Sequence, residues 1–134
     1  MSNQFGRAEF LSRGARGGVA TGANLLHGNA ELTQIRLESG EHIYSTDHAK
    51  GEVGVVVYPW EITVSRVHQP DSALNVITGD IRSIVHVGSR VRVRIGPITA
   101  EVTSASAEKL DLTTGGRAVA SFKATGTRLL PLTR

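Results

Sequence analysis

A chain of 134 residues, 40% hydrophobic and 20% charged, has the length and composition of one ordinary globular domain, or at most two very small ones. Fifteen basic side chains against twelve acidic ones leave a net charge of +3 with no long basic block, too mild to mark a nucleic-acid binder. No stretch approaches the roughly 20 apolar residues that cross a bilayer, MSNQFGRAEF lacks the apolar segment of a secretory signal, and the lack of cysteine excludes disulfides, a thiol nucleophile and thiolate metal ligands.

Taken in order, the first 22 residues mix Gly6, Gly14, Gly17, Gly18 and Gly22 with Arg7, Arg13 and Arg16. Each glycine weakens a helix by roughly 1 kcal/mol, so Glu9 to Arg13 can form one turn and residues 1–20 read as a flexible arm or linker. From Asn24 onward the dominant period is two. Alternation predicts strands near Gly28–Leu37, His42–Ser45, Val53–Val57, Ile62–Arg66, Val76–Val87, Arg90–Ile95, Ile98–Thr103, Arg117–Phe122 and Thr127–Leu130. Gly40, Gly51, Gly88, Gly96-Pro97 and Gly115-Gly116 are the expected breaks. Ala105–Leu110 alone reads as a helix, capped by Ser104 and ended by Thr113-Thr114-Gly115. Aromatic residues make up only 4% of the chain, so Val, Ile, Leu and Ala must build the core. Short strands plus one short helix predict an all-β fold, a small antiparallel β-barrel.

An internal echo overlies this pattern. Asn24-Leu25-Leu26-His27-Gly28 resembles Asn75-Val76-Ile77-Thr78-Gly79, 51 residues on, and each leads into an alternating strand. Gly51-Glu52-Val53-Gly54-Val55-Val56 compares with Gly116-Arg117-Ala118-Val119-Ala120-Ser121, 65 residues on. The second copy therefore carries about fourteen extra residues, the helical turn among them. Two related half-barrels are the expectation, with a first strand-rich half over 21–69 and a second over 70–134.

Most catalytic and cofactor chemistries find no support. Gly17 and Gly22 have the spacing of a phosphate loop, but Ala23 and Asn24 stand where Lys and Ser/Thr are required. His27, His42, His48, His68 and His86 are scattered without metal-ligand spacing. No Gly-x-Ser-x-Gly elbow occurs, and Ser72 follows Pro70-Asp71 in what reads as a turn. Arg90, Arg92 and Arg94, with Arg82, form a basic stripe that reads as a solvated face protecting an edge strand. A single-strand nucleic-acid groove would add aromatic stacking platforms, yet Tyr44, Tyr58 and Trp60 lie elsewhere. The chain is therefore expected to be a binding module, not an enzyme.

Phe122-Lys123-Ala124-Thr125-Gly126 is the run with chemical content. A lysine ends an apolar strand, and small residues with free amides and a hydroxyl follow. One cation and several neutral donors suit a compact tetrahedral oxyanion. Ser72-Ala73-Leu74-Asn75 supplies a second cluster of donors, although on the residues alone a plain structural turn is the preferred reading of these runs.

Three motifs in order give these residues a family resemblance: "SALNVITGDI", with Ser-x-x-Asn-x-x-x-Gly; "AEVTSASAEKLDL", with Ala-x-x-Thr-x-x-Ser; and "SFKATGTRLL". Residues 72–130 resemble the TOBE or molbindin module. Upstream, "EFLSRGARGGVATGANLLHGNAEL" and "GEVGVVVYPWEITVSR" look like the junction and strand pair that precede this module in molybdate-type ABC transporter ATPases. The resemblance implies an oxyanion ligand (molybdate, tungstate or sulfate), no organic cofactor, a cytoplasmic location and a homodimer. It implies Ser72, Asn75, Lys123, Ala124 and Thr125 as oxyanion contacts, with Thr103 as a further one.

Three settings are compatible with such a module. The first is the oxyanion-sensing regulatory domain of a transporter ATPase, partnered by a nucleotide-binding domain and a permease, although this chain carries no ATPase motif. The others are a free-standing molybdate-storage molbindin and a purely structural dimerisation module with a vestigial pocket. One departure bears on all of them: Leu74 stands where the family's opening motif has arginine. A lost guanidinium removes a charge and several donors.

Overall fold

The computed structural model describes residues 22–68 and 74–132. The expected arm over residues 1–20, and Ser72, lie outside the described residues. Eight strands and one helix follow in order: β1 (Asn24–Leu37), β2 (His42–Val57), β3 (Thr63–Ser65), β4 (Leu74–Val87), β5 (Arg90–Ile95), β6 (Ile98–Thr103), α1 (Ser104–Leu110), β7 (Arg117–Lys123) and β8 (Arg128–Pro131). Single 3-10 turns, Pro59–Glu61 and Ala124–Gly126, precede β3 and β8. Every strand pair is antiparallel.

The chain divides into two compact units. One takes the described residues up to Tyr58 and those from Ala124 onward; the other runs from Pro59 to Lys123. In the first unit three strands form a sheet in the order β1-β2-β8. Its buried apolar side chains include Ala30, Ile35, Leu37, Ile43, Val53, Val55, Val57 and Leu129. In the second, five strands run β3-β7-β4-β5-β6. Its outermost strands, β3 and β6, touch, so the sheet curls on itself, with α1 bridging β6 to β7. The fold is all-β and OB-like, with one short helix among the described residues. Ile77, Ile81, Val91, Val93, Ile95, Ile98, Ala120 and Phe122 fill this second core.

Alternation explains the strands it was able to predict. Val91, Val93 and Ile95 are fully buried while Arg90 and Arg94 point to water. The arginine stripe does not guard an edge, because β5 lies between β4 and β6. Glu101 of β6 approaches Arg92 at 3.2 Å and Arg90 at 3.5 Å, a partly exposed arrangement.

Two local expectations are corrected. His42–Ser45 and Val53–Val57 are parts of one 16-residue strand, β2, and Gly51 does not break it. Gly51 takes φ +91° yet stays in the ladder opposite Ala30. Residues 46–52 carry no large apolar side chain, so the alternation passes unseen in the sequence. The helix cap is Thr103 rather than Ser104: the Thr103 hydroxyl accepts the Ser106 N–H at 3.1 Å. Ser104 Oγ instead donates to the Ser89 carbonyl at 3.0 Å. The helix stops at Asp111, which adopts the left-handed conformation at φ 54°, ψ 48°, before the Thr-Thr-Gly run is reached.

The internal echo is exact in register. Asn24 pairs with Val57 as Asn75 pairs with Phe122, and Gly28 pairs with Val53 as Gly79 pairs with Ala118. Arg128 pairs with Val56 as Thr63 pairs with Ser121. The turns agree as well: the Ile62 N–H donates to Pro59 O at 3.3 Å, and the Thr127 N–H to Ala124 O at 3.1 Å. Each repeat thus consists of a long strand pair, a 3-10 turn and a short strand. The short strand of the first repeat, β3, joins β7 of the second, while β8 joins β2 of the first. The extra residues of the second copy hold β6 and α1.

Gly28 and Gly79 occupy matching positions where another backbone segment crosses closely. A methyl group on Gly28 would stand 2.7 Å from Ile35 Cγ2 and 2.8 Å from the Arg36 carbonyl oxygen. On Gly79 it would stand 3.1 Å from the nitrogen and Cα of Gly96. Replacing Gly28 with alanine is expected to lower unfolding free energy by about 1–3 kcal/mol, the usual range for overpacking. Urea denaturation measures this, and an unchanged midpoint would mean the crossing has slack.

Candidate functional site

The residues expected to hold an anion begin at the pairing of β4 with β7. Leu74 lies directly opposite Lys123, and Asn75 directly opposite Phe122. Residues directly opposite share a face of the sheet, and successive residues alternate faces. Asn75 and Phe122, 4% and 2% exposed, therefore face the core. Lys123 is exposed and Leu74 half-buried on the other face. The strand pair brings the opening and closing motifs together while sending the side chains of Asn75 and Lys123 to opposite sides.

The repeat gives Asn75 a counterpart whose structural role is plain. Its counterpart Asn24 is buried at the start of β1, and Asn24 Nδ2 donates to the Val57 carbonyl at 3.2 Å, the residue across the ladder. A buried amide that satisfies the frayed start of a strand is reason enough for an asparagine. The location of Leu74 is equally informative. An arginine there would place a second cation beside Lys123 on the same face; leucine leaves the lysine as the cation of this pair.

Beyond Lys123 the chain turns directly into Ala124–Gly126, with Ala124 half-buried and Thr125 exposed. Lys123, Ala124 and Thr125 therefore sit in sequence at a strand end that opens into a tight turn. Thr103 stands apart. It ends β6 opposite Arg90, and Arg90 in turn lies opposite Val87 at the far end of β4 from Asn75. Its hydroxyl is engaged as the cap of α1 and donates to Ser106 Oγ at 2.9 Å. Among the described residues, no group of three or more His, Asp or Glu side chains could hold a metal ion, and no helix is long and apolar enough to cross a membrane.

Residues 71–129 match the family model described as the TOBE domain. A TOBE domain is therefore present over this stretch, which contains all three motifs. Its opening and closing segments are the two that β4 and β7 bring together. No curated protein is similar enough to the chain to count as a match. Among solved structures, the chain is similar to a crystal form of the cytoplasmic molybdate-binding protein ModG with molybdate bound. The TM-score is 0.70 at 23% identity, over 80% of this chain and 94% of ModG, a likeness of fold.

Two residues that sequence reasoning missed hold the TOBE turn in place. Between the pairs Leu32–Ala49 and Gln34–Tyr44 the register slips, so that β2 bulges through Ser45–His48. The buried Ser45 hydroxyl in this bulge donates to the Thr127 carbonyl and accepts the Asp47 N–H at 2.9 Å. Asp47 Oδ2 accepts the Leu129 N–H at 3.0 Å. Thr127 is fully buried and ends the turn that Ala124 begins. The available signal was a serine at an inward position, two residues beyond the buried Ile43.

Removing the Asp47 carboxylate leaves the Leu129 N–H without this acceptor. Asp47→Ala should lower stability by about 1–2 kcal/mol, the lower part of the range for a bond to a charged acceptor because the side chain is partly solvated. The value is checked by chemical denaturation against Asp47→Asn, which keeps an acceptor oxygen and should lose less.

Proposed function

We propose that this protein is a cytoplasmic binding module for a tetrahedral oxyanion of the molybdate class, with no catalytic step of its own. The observation that carries the reading is the Lys123-Ala124-Thr125 strand end, set against the opening motif by the Leu74–Lys123 pairing within a TOBE domain. Lys123 supplies the positive charge. The Thr125 hydroxyl and the amides of the turn supply neutral donors, with Ser72 joining from the opening motif. A cation with several directional donors recognises a dianion by charge and by tetrahedral shape together. Asn75 acts through the strand start that it stabilises, and Thr103 through the helix cap.

A free-standing molbindin is the better-supported form of this reading. The ModG structure, that of a cytoplasmic molybdate-binding protein, is matched over 94% of its length. A regulatory module of a molybdate-type transporter ATPase would use the same residues, and the upstream resemblance of residues 9–32 and 51–66 is its support. In either setting the chain works as a homodimer, and a division into halves at 21–69 and 70–134 describes its two repeats along the sequence. Tungstate and sulfate share the geometry of molybdate and are the natural competitors.

Isothermal titration with molybdate, tungstate and sulfate tests the proposal. Binding of at least one anion is expected, weakened about tenfold to a hundredfold by Lys123→Ala, the worth of one charge-assisted bond. Lys123 is exposed, so its removal leaves the core intact. Absence of heat with all three anions, from a protein folded by circular dichroism, would overturn the reading and leave a structural module.

A further inference from the structure

We infer that the two repeat-related turns are not equivalent sites: the turn after β7 takes the oxyanion, and the matching turn after β2 cannot. The inference rests on the oxyanion reading above and concerns how many anions the chain holds.

The backbone supplies the same position twice. Lys123 follows Phe122, the partner of Asn75, as Tyr58 follows Val57, the partner of Asn24. Ala124–Gly126 and Pro59–Glu61 are both 3-10 turns, and each is closed by an N–H three residues beyond its first carbonyl. β8 and β3 then leave the two turns in matching register. Backbone geometry therefore does not separate the two turns.

Side-chain chemistry does. Tyr58 stands for Lys123, so the first turn has a phenol where the second has an ammonium group. Pro59 stands for Ala124, and proline has no N–H to donate. Trp60 stands for Thr125, replacing a compact hydroxyl with an indole that is 54% exposed. All three groups invoked for anion binding in the second turn are altered in the first. A doubly charged oxyanion left with neutral donors alone is held poorly, because it gives up its hydration without a cation in return.

The test is the number of anions bound at saturation, measured by equilibrium dialysis of molybdate against the full chain and against two variants. The wild type should show one class of site. Lys123→Ala should weaken that one class about tenfold to a hundredfold and leave no class of wild-type affinity. Tyr58→Lys/Pro59→Ala/Trp60→Thr, with its fold checked by circular dichroism, should double the molar ratio at saturation. A class of sites that keeps wild-type affinity in Lys123→Ala overturns the inference and leaves the oxyanion reading standing, and so does an unchanged ratio in the folded triple variant. Failure of the wild type to bind overturns the oxyanion reading, and this inference falls with it.

Discussion

The cross-strand register of the long antiparallel pairs is the constraint on which the rest of the structure depends. Side chains alternate with a period of two, so shifting β4 against β7 by one residue would move every side chain to the opposite face. The register actually adopted buries Asn75 and Phe122 and leaves Lys123 outside, beside Leu74. The β1–β2 pair repeats the arrangement with Asn24 and Val57 inside and Tyr58 next in line. Burial of β-branched side chains holds that register, each of them worth about 1.5–3 kcal/mol when fully removed from water. A slip would expose them together.

The turns inherit their places from the same register. Each second strand ends in a 3-10 turn whose exit strand pairs with the strand of the other repeat, β3 with β7 and β8 with β2. Segments distant in sequence are thereby made neighbours. Ser45 and Asp47 reach Thr127 and Leu129 only because β2 bulges at residues 45–48 and β8 pairs with β2 further along. The bulge aims these two polar side chains at the residues that follow the turn at 124–126.

Charge then decides what the turn can do. Lys123 offers one cation in a position where the related family pattern has two, with Leu74 directly across from it. The pair is therefore less electropositive than the family pattern, and under the proposed function discrimination among oxyanions would fall more heavily on neutral donors. Two of the three β5 arginines, Arg90 and Arg92, lie instead against Glu101 of the neighbouring strand.

Period-two patterning was enough to read the all-β class and the two hairpin strands Arg90–Ile95 and Ile98–Thr103 to the residue, because those features are local, while matched runs of residues revealed the repeat and cap and stop signals the short helix. The Lys123-Ala124-Thr125 run was legible as well, since its chemistry lies in consecutive residues. Other features were not. β2 could not be seen as one strand, because its middle has water on both sides and no apolar alternation to mark it. The cap at Thr103 rather than Ser104 depended on a single backbone conformation. Composition and local pattern determine which segments are strands and which residues carry charge and donors. Only the tertiary structure decides that Asn75 faces the core while Lys123 faces out, that Thr103 is set at the other end of the sheet, and that two repeats share one backbone turn with different chemistry. The reason is that pairing between distant strands, and not the strands themselves, fixes which side chains meet.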